Sequence, residues 1–133
     1  MKPPLATWSP QILSILRIIT GFLLLAHGTQ KLLGFPVPFA TPIEPWSLVY
    51  VSGLLELVGG ALIFVGLFTR PVAFVLSGFM AVAYFMVHAP QGFWPLVNKG
   101  ELAVLYCFVF LCFAAAGGGQ WSVDRLLRGR RNQ

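Results

Sequence analysis

Charge is what this sequence has least of. Of its 133 residues only 10% are Asp, Glu, Lys or Arg, against about 25% in a soluble domain, and the acids number four beside nine Lys and Arg. With 57% of the residues apolar, too little polar surface remains to dissolve a globule. Cysteine is equally scarce. Cys107 and Cys112 lie about 140° apart around a helix axis and cannot pair with each other. There is no CxxC or CxxCH to suggest a redox dithiol or covalent haem, and both read as small apolar packing residues. H-E-x-x-H, G-x-S-x-G and a phosphate loop are absent too, so metalloprotease, serine hydrolase and nucleotide chemistries lack their machinery. No metal site is expected, and His27 and His88 read as polar contacts rather than haem ligands.

What is there is apolar and comes in blocks. Runs at about 12–33, 48–68, 71–88 and 101–116 predict four membrane-spanning helices. Spans of about 20 residues use roughly 80 positions, which leaves only short loops and tails. The fold class expected is therefore all-α, a four-helix transmembrane bundle in one domain over 1–133, with short loops. The last two runs are short for a bilayer, which requires extension into the flanking loops or a thin membrane. Lys2 and Arg17 ahead of an apolar run imitate a signal peptide. Leu24-x-Ala26 is a poor cleavage junction, however, and the segment is expected to be retained.

Orientation follows from the basic residues. The formal charge of +5 does not point to nucleic acid, because Arg125, Arg128, Arg130 and Arg131 all sit in the basic tail at 120–133, behind the last apolar run. Lys2, Arg70 and that tail share one side only if four crossings separate the termini. The positive-inside rule then places both ends in the cytoplasm of a cell with an inner (plasma) membrane. Trp8 and Trp121 fall at the inner interface and Trp46 and Trp94 at the outer one, as an aromatic belt does.

Ionisable residues within such spans cost about 2.5–3.5 kcal/mol at the helix centre and therefore face protein or trapped water. At 100° per residue, Arg17, Thr20, Gly21, His27, Gly28 and Lys31 share one sector of the first span, which must face the interior. The second span presents Ser52, Glu56, Gly59, Ile63 and Gly66, small residues around one carboxylate that suit close helix approach. Ser77, Met80, Tyr84 and His88 share a face of the third, and Glu101 opens the fourth. Arg17, His27, Lys31, Glu56, Tyr84, His88 and Glu101 are thus the candidates for a polar pocket. Two readings stay open. The group is either a neutralised polar plug or a pocket that binds an anion or a quinone head group or relays protons. Whether Glu56 pairs with Arg17 or with Lys31 depends on helix order and tilt.

Taken in order, these motifs resemble the DoxX family of small bacterial four-helix membrane proteins. They are Arg17 with Gly21, HGTQKL from His27, ELVGG from Glu56, GLFTR from Gly66, then His88, Gly100 with Glu101, and GGGQWSVD over Gly117–Asp124. The family includes a subunit of archaeal thiosulfate:quinone oxidoreductase and a mycobacterial member associated with a complex for thiol and superoxide defence. The resemblance therefore implies a quinone-facing or membrane-anchoring subunit of a redox complex. Because the chain supplies no redox centre of its own, electron transfer requires a quinone or a partner subunit. A non-catalytic scaffold is one alternative. The other is a small-solute transporter or channel subunit, which the recurrence of Gly-Phe before His and of Glu-Leu favours and which would require a homo-oligomer.

Overall fold

The computed structural model describes all 133 residues, and every regular element in it is a helix. After a 3-10 turn at Pro4–Trp8 come α1 (Ser9–Leu33), α2 (Leu48–Val65), α3 (Thr69–Ala83), α4 (Pro95–Asn98), α5 (Glu101–Ala116) and α6 (Val123–Arg131). α3 runs on through a π-helical turn, Tyr84–His88, and a 3-10 turn, Ala89–Gln91. Three helical stretches are long and apolar enough to cross a membrane, Pro4–Leu33, Leu48–Val65 and Thr69–Gln91, while α5 is a shorter apolar helix.

Local chemistry sets the ends. α1 starts ahead of its apolar run because Pro10 occupies the first turn, where a missing N–H costs nothing. α2 stops at Val65 although Leu67 and Phe68 continue the apolar run. Gly66 there takes a left-handed conformation, φ 74°, and its N–H returns to the carbonyls of Leu62 and Ile63, which closes the helix. The outward face of α1, with Ile12, Ile15, Ile19, Phe22 and Leu23 exposed, is an apolar surface of the kind that lipid covers.

The chain divides into two compact units, Met1–Thr69 with Gly118–Gln133, and Arg70–Gly117. In the first, α1 and α2 form a hairpin joined by the segment 34–47, which defines its loop end. Bare backbone lets them meet: a Cβ on Gly28 would stand 2.5 Å from Leu57 N, and one on Gly21 2.5 Å from Phe64 N. Neither neighbour is a flexible side chain, so the helices themselves must separate to admit a methyl group. In lipid, where water does not drive helices together, close packing of this kind contributes to association beside interhelical hydrogen bonds. Gly28→Ala is therefore expected to destabilise the protein by about 1–3 kcal/mol, the usual cost of overpacking. A melting curve in detergent would show it, whereas an unchanged midpoint would mean that the hairpin is looser than its backbone contacts.

The opposite, terminal end of the hairpin is locked by the segment before α6. Trp121 N–H donates to Ser14 Oγ at 2.9 Å and Gln120 N–H to Pro10 O at 3.3 Å. Asp124 receives Phe68 N–H on Oδ1 at 2.8 Å and Thr69 N–H on Oδ2 at 2.9 Å, so its carboxylate caps the first turn of α3, where free N–H groups and the helix dipole favour an anion. Ser122 caps α6 itself by accepting from Arg125 N–H at 3.3 Å.

In the second unit, α3 buries Ala73, Leu76, Ser77 and Met80, and α5 buries Tyr106, Phe110 and Phe113. Ser77 Oγ donates to Cys107 O at 2.7 Å, which satisfies a hydroxyl that would be costly unpaired. Cys107 and Cys112 are free thiols.

Candidate functional site

The polar side chains of α1 sit at different heights, and height decides their partners. Lys31 lies in the last turn of α1, and its stem runs over Gly53, whose missing side chain makes the room: a Cβ there would be 3.0 Å from Lys31 Cβ. From this position Nζ donates to Ser52 Oγ and to Glu56 Oε1, each at 3.0 Å. Oε2 of Glu56 is also 3.0 Å from Nζ, and the two side chains are 16% and 9% exposed. Ser52 in turn donates to Val49 O at 2.7 Å. His27, one turn before Lys31, interacts electrostatically with the same carboxylate.

The pair is not chemically saturated. An ammonium group has three donors, and two of those on Lys31 are engaged. Glu56 Oε2 is buried without an aligned hydrogen bond despite its closeness to Nζ. Nζ and Oε2 thus stay ion-paired at 3.0 Å without an aligned hydrogen bond, at the loop end of the hairpin.

Arg17 stands about 21 Å further along α1, at 1.5 Å per residue, and takes no part in that pair. It is fully buried and spends its guanidinium on backbone. Nε donates to Gly118 O at 2.9 Å, Nη1 to Ile63 O at 2.9 Å and Phe64 O at 2.8 Å, and Nη2 to Trp121 O. Every acceptor is neutral and fixed, so the role is one of fastening. The partner of Glu56 is Lys31.

Within the second unit, Tyr84 and His88 come together on the π-helical turn, rings stacked at 6.2 Å and 29°. Their organiser is Asn98, fully buried. It donates through Nδ2 to Tyr84 Oη at 3.1 Å and to Gly92 O at 2.9 Å, and accepts Gly100 N–H on Oδ1 at 2.9 Å. Asn98 O lies 3.0 Å from His88 Nδ1. Since a carbonyl only accepts, Nδ1 carries the proton in the neutral ring and Nε2 is left as an acceptor. Ser52 stands on the Glu56 face that periodicity picks out, whereas Asn98 and Asp124 are site and locking residues that charge and periodicity did not single out. The one local signal for Asn98 is its place before Lys99, which takes a left-handed turn conformation, φ 61°. Glu101 is exposed. With Lys99 it rims a crevice of about 390 Å3 walled by Leu96, Leu102 and Leu105.

These residues fall largely within a known family. The DoxX family model matches residues 12–89, which takes in Arg17, His27, Lys31, Glu56, Tyr84 and His88. The chain belongs to the DoxX family. It is a DoxX membrane protein with several apolar helices. A Haemophilus influenzae protein, named only as an uncharacterized protein, is 41% identical over 90% of this chain and 93% of its own. A Bacillus subtilis protein named "Putative oxidoreductase CatD" is 30% identical over 89% of each chain. The Mycobacterium tuberculosis membrane protein Rv3486 is 27% identical over 91% of this chain and 83% of its own. No solved structure matches the DoxX chain.

Proposed function

We propose that this DoxX protein serves a membrane redox complex as its quinone-facing subunit, with the Lys31–Glu56 pair as the polar end of a quinone head-group site. The observation that carries this reading is a largely covered ion pair in which Oε2 of Glu56 has no aligned hydrogen bond and Nζ of Lys31 has a third donor to spend. A quinone carbonyl accepts from the free N–H of Lys31, and a quinol hydroxyl donates to Oε2 of Glu56, so both redox forms find a partner. A bound quinone supplies the capacity to carry electrons and protons that the chain itself lacks. The similarity to a protein named as an oxidoreductase supports the same direction.

The topology we propose has four crossings, with α5 as the fourth and both termini on the cytoplasmic side of the inner membrane. At about 24 Å, α5 falls short of the roughly 30 Å hydrocarbon core, a mismatch that local thinning accommodates. Arg70 and the arginines of α6 then lie on one side, in agreement with the positive-inside rule. A partner subunit would exchange electrons with the quinone.

Purification in mild detergent, followed by quinone extraction and mass spectrometry, tests the site. Near-stoichiometric quinone is expected in the wild type, with at least a tenfold loss in an equally folded Glu56→Gln variant. Absence from both proteins would sink the quinone reading and leave a scaffold or a transporter subunit as the better account.

A further inference from the structure

α6 has an apolar side that nothing in the protein covers. At about 100° per residue, Val123, Leu126 and Leu127 fall in one sector of roughly 100°. Arg125 and Arg128 lie on the opposite side, Asp124 and Arg131 flank the sector beside Leu127, and Arg130 falls within it, one turn after the leucines. Leu126 is 70% exposed and Leu127 46%, while Trp121, just before the helix, is 53% exposed. The arginines are all exposed and bond to no other side chain. The only acid, Asp124, has both oxygens engaged by Phe68 and Thr69. The face is therefore strongly cationic, with no internal counter-charge to spare.

Its height is fixed as well. Trp121 is bonded to Ser14 near the start of α1, and Asp124 N–H donates to Gly66 O at 3.0 Å, in the turn that follows α2. α6 thus begins where two membrane-length helices end, at the level of the lipid head groups. Trp8, exposed at the start of α1, lies at the same end. A short helix with exposed leucines, a flanking tryptophan and unpaired arginines at that level has the form of an interfacial helix.

We infer that α6 lies in the head-group layer and binds anionic phospholipid, the leucines entering the acyl boundary and the arginines holding phosphates. Arginine suits this task because its planar fork contacts two phosphate oxygens at once, and the stem of Arg130 runs beside the leucines while its head reaches out. The opposite charge of the lipid and the apolar wedge select a membrane surface over a soluble acidic protein, which would satisfy the arginines and leave Leu126 and Leu127 in water. The inference does not rest on the quinone site.

The test uses the full chain in detergent with equal amounts of phosphatidylglycerol and phosphatidylcholine of the same acyl chains, and bound lipid is counted by native mass spectrometry. The wild type is expected to hold phosphatidylglycerol in at least tenfold preference, since each arginine near an anionic surface contributes about fivefold. A variant with Arg125, Arg128, Arg130 and Arg131 all changed to Gln should bind the two lipids equally. It keeps Trp121, Ser122 and Asp124, so its melting temperature in phosphatidylcholine should match the wild type. Changing Leu126 and Leu127 to Ser should lower phosphatidylglycerol retention severalfold with the charge intact. Equal binding of both lipids by the wild type would overturn the inference. So would competition by glycerophosphoglycerol, the head group without chains, as effective as that by the lipid, or arginine-dependent retention of a soluble protein without any lipid preference.

Discussion

Arg17→Met is expected to abolish the folded protein, with monodisperse yield from detergent falling at least tenfold. The guanidinium is fully buried and bonds four backbone carbonyls drawn from two distant segments, Ile63 and Phe64 at the end of α2, Gly118 and Trp121 before α6. Phe64 O belongs to the last turn of α2, where carbonyls lack an intrahelical partner and the helix dipole presents its negative end. A hydrogen bond to a charged group contributes about 1.5–3 kcal/mol. Even without additivity, losing these bonds removes a large share of the 5–15 kcal/mol that holds a typical domain. The methionine fills space but leaves Phe64 O and Trp121 O without the guanidinium donors, where hydrocarbon offers no replacement, and Ile63 O and Gly118 O with only the weaker bonds from Gly66 N–H and Ser14 Oγ. Arg17→Lys separates charge from geometry. It retains the cation but not the planar fork, so a reduced yield and a lowered melting temperature are expected, between the other two proteins. Wild-type yield and melting in Arg17→Met would show that the clamp is dispensable.

The place of Arg17 also marks where sequence reasoning reaches and where it stops. Periodicity puts Arg17, His27 and Lys31 on one face of a helix, and Arg17 is indeed buried there with Thr20, Gly21 and Gly28. A face is an angle, however, and carries no partner. The atoms that claim Arg17 at the far end of the chain lie about a hundred residues away, at Gly118 and Trp121, beyond the reach of any local pattern. The pairing of Glu56 likewise turned on the register of two helices, which follows from glycine contacts at Gly21 and Gly28 against α2 backbone rather than from charge. The motif GGGQWSVD was visible as a resemblance, but its physical role as a lock on α1, α2 and the start of α3 appears only once Ser14, Gly66 and Thr69 are seen beside it. Asn98 escaped because a neutral amide ending a single helical turn has no periodicity and no charge, and its value lies wholly in the four groups it connects. Boundaries behaved similarly. The apolar runs located the helices, while Pro10 and Gly66 moved their ends.

A double-mutant cycle on Lys31 and Glu56 should give an interaction energy of about 3 kcal/mol, read from unfolding midpoints of four proteins in the same detergent. Both side chains are more than four-fifths covered, at 16% and 9% exposure. Removing one partner therefore strands the other in a poor solvent for charge, which costs about 3–5 kcal/mol in buried pairs. Lys31→Met leaves the carboxylate with Ser52 and His27 as its near neighbours. Glu56→Gln leaves an ammonium that still reaches Ser52, so it should be the milder of the two. Lys31→Met combined with Glu56→Gln removes both charges together, and much of the lost stability should return, because a buried ion pair replaced by neutral groups is often close to neutral overall. An interaction energy near zero would mean that solvent reaches the pair and screens it. The combined variant then separates a polar plug from a ligand site in a way that neither single change can. It restores the fold while lacking both the ammonium of Lys31 and the carboxylate of Glu56, so abundance no longer confounds function. A plug needs only mutual neutralisation, and its quinone content or complex activity would follow the recovered stability back to the wild-type level. A head-group site needs those particular donors and acceptors, and in that case the quinone stays lost in a protein that is fully folded.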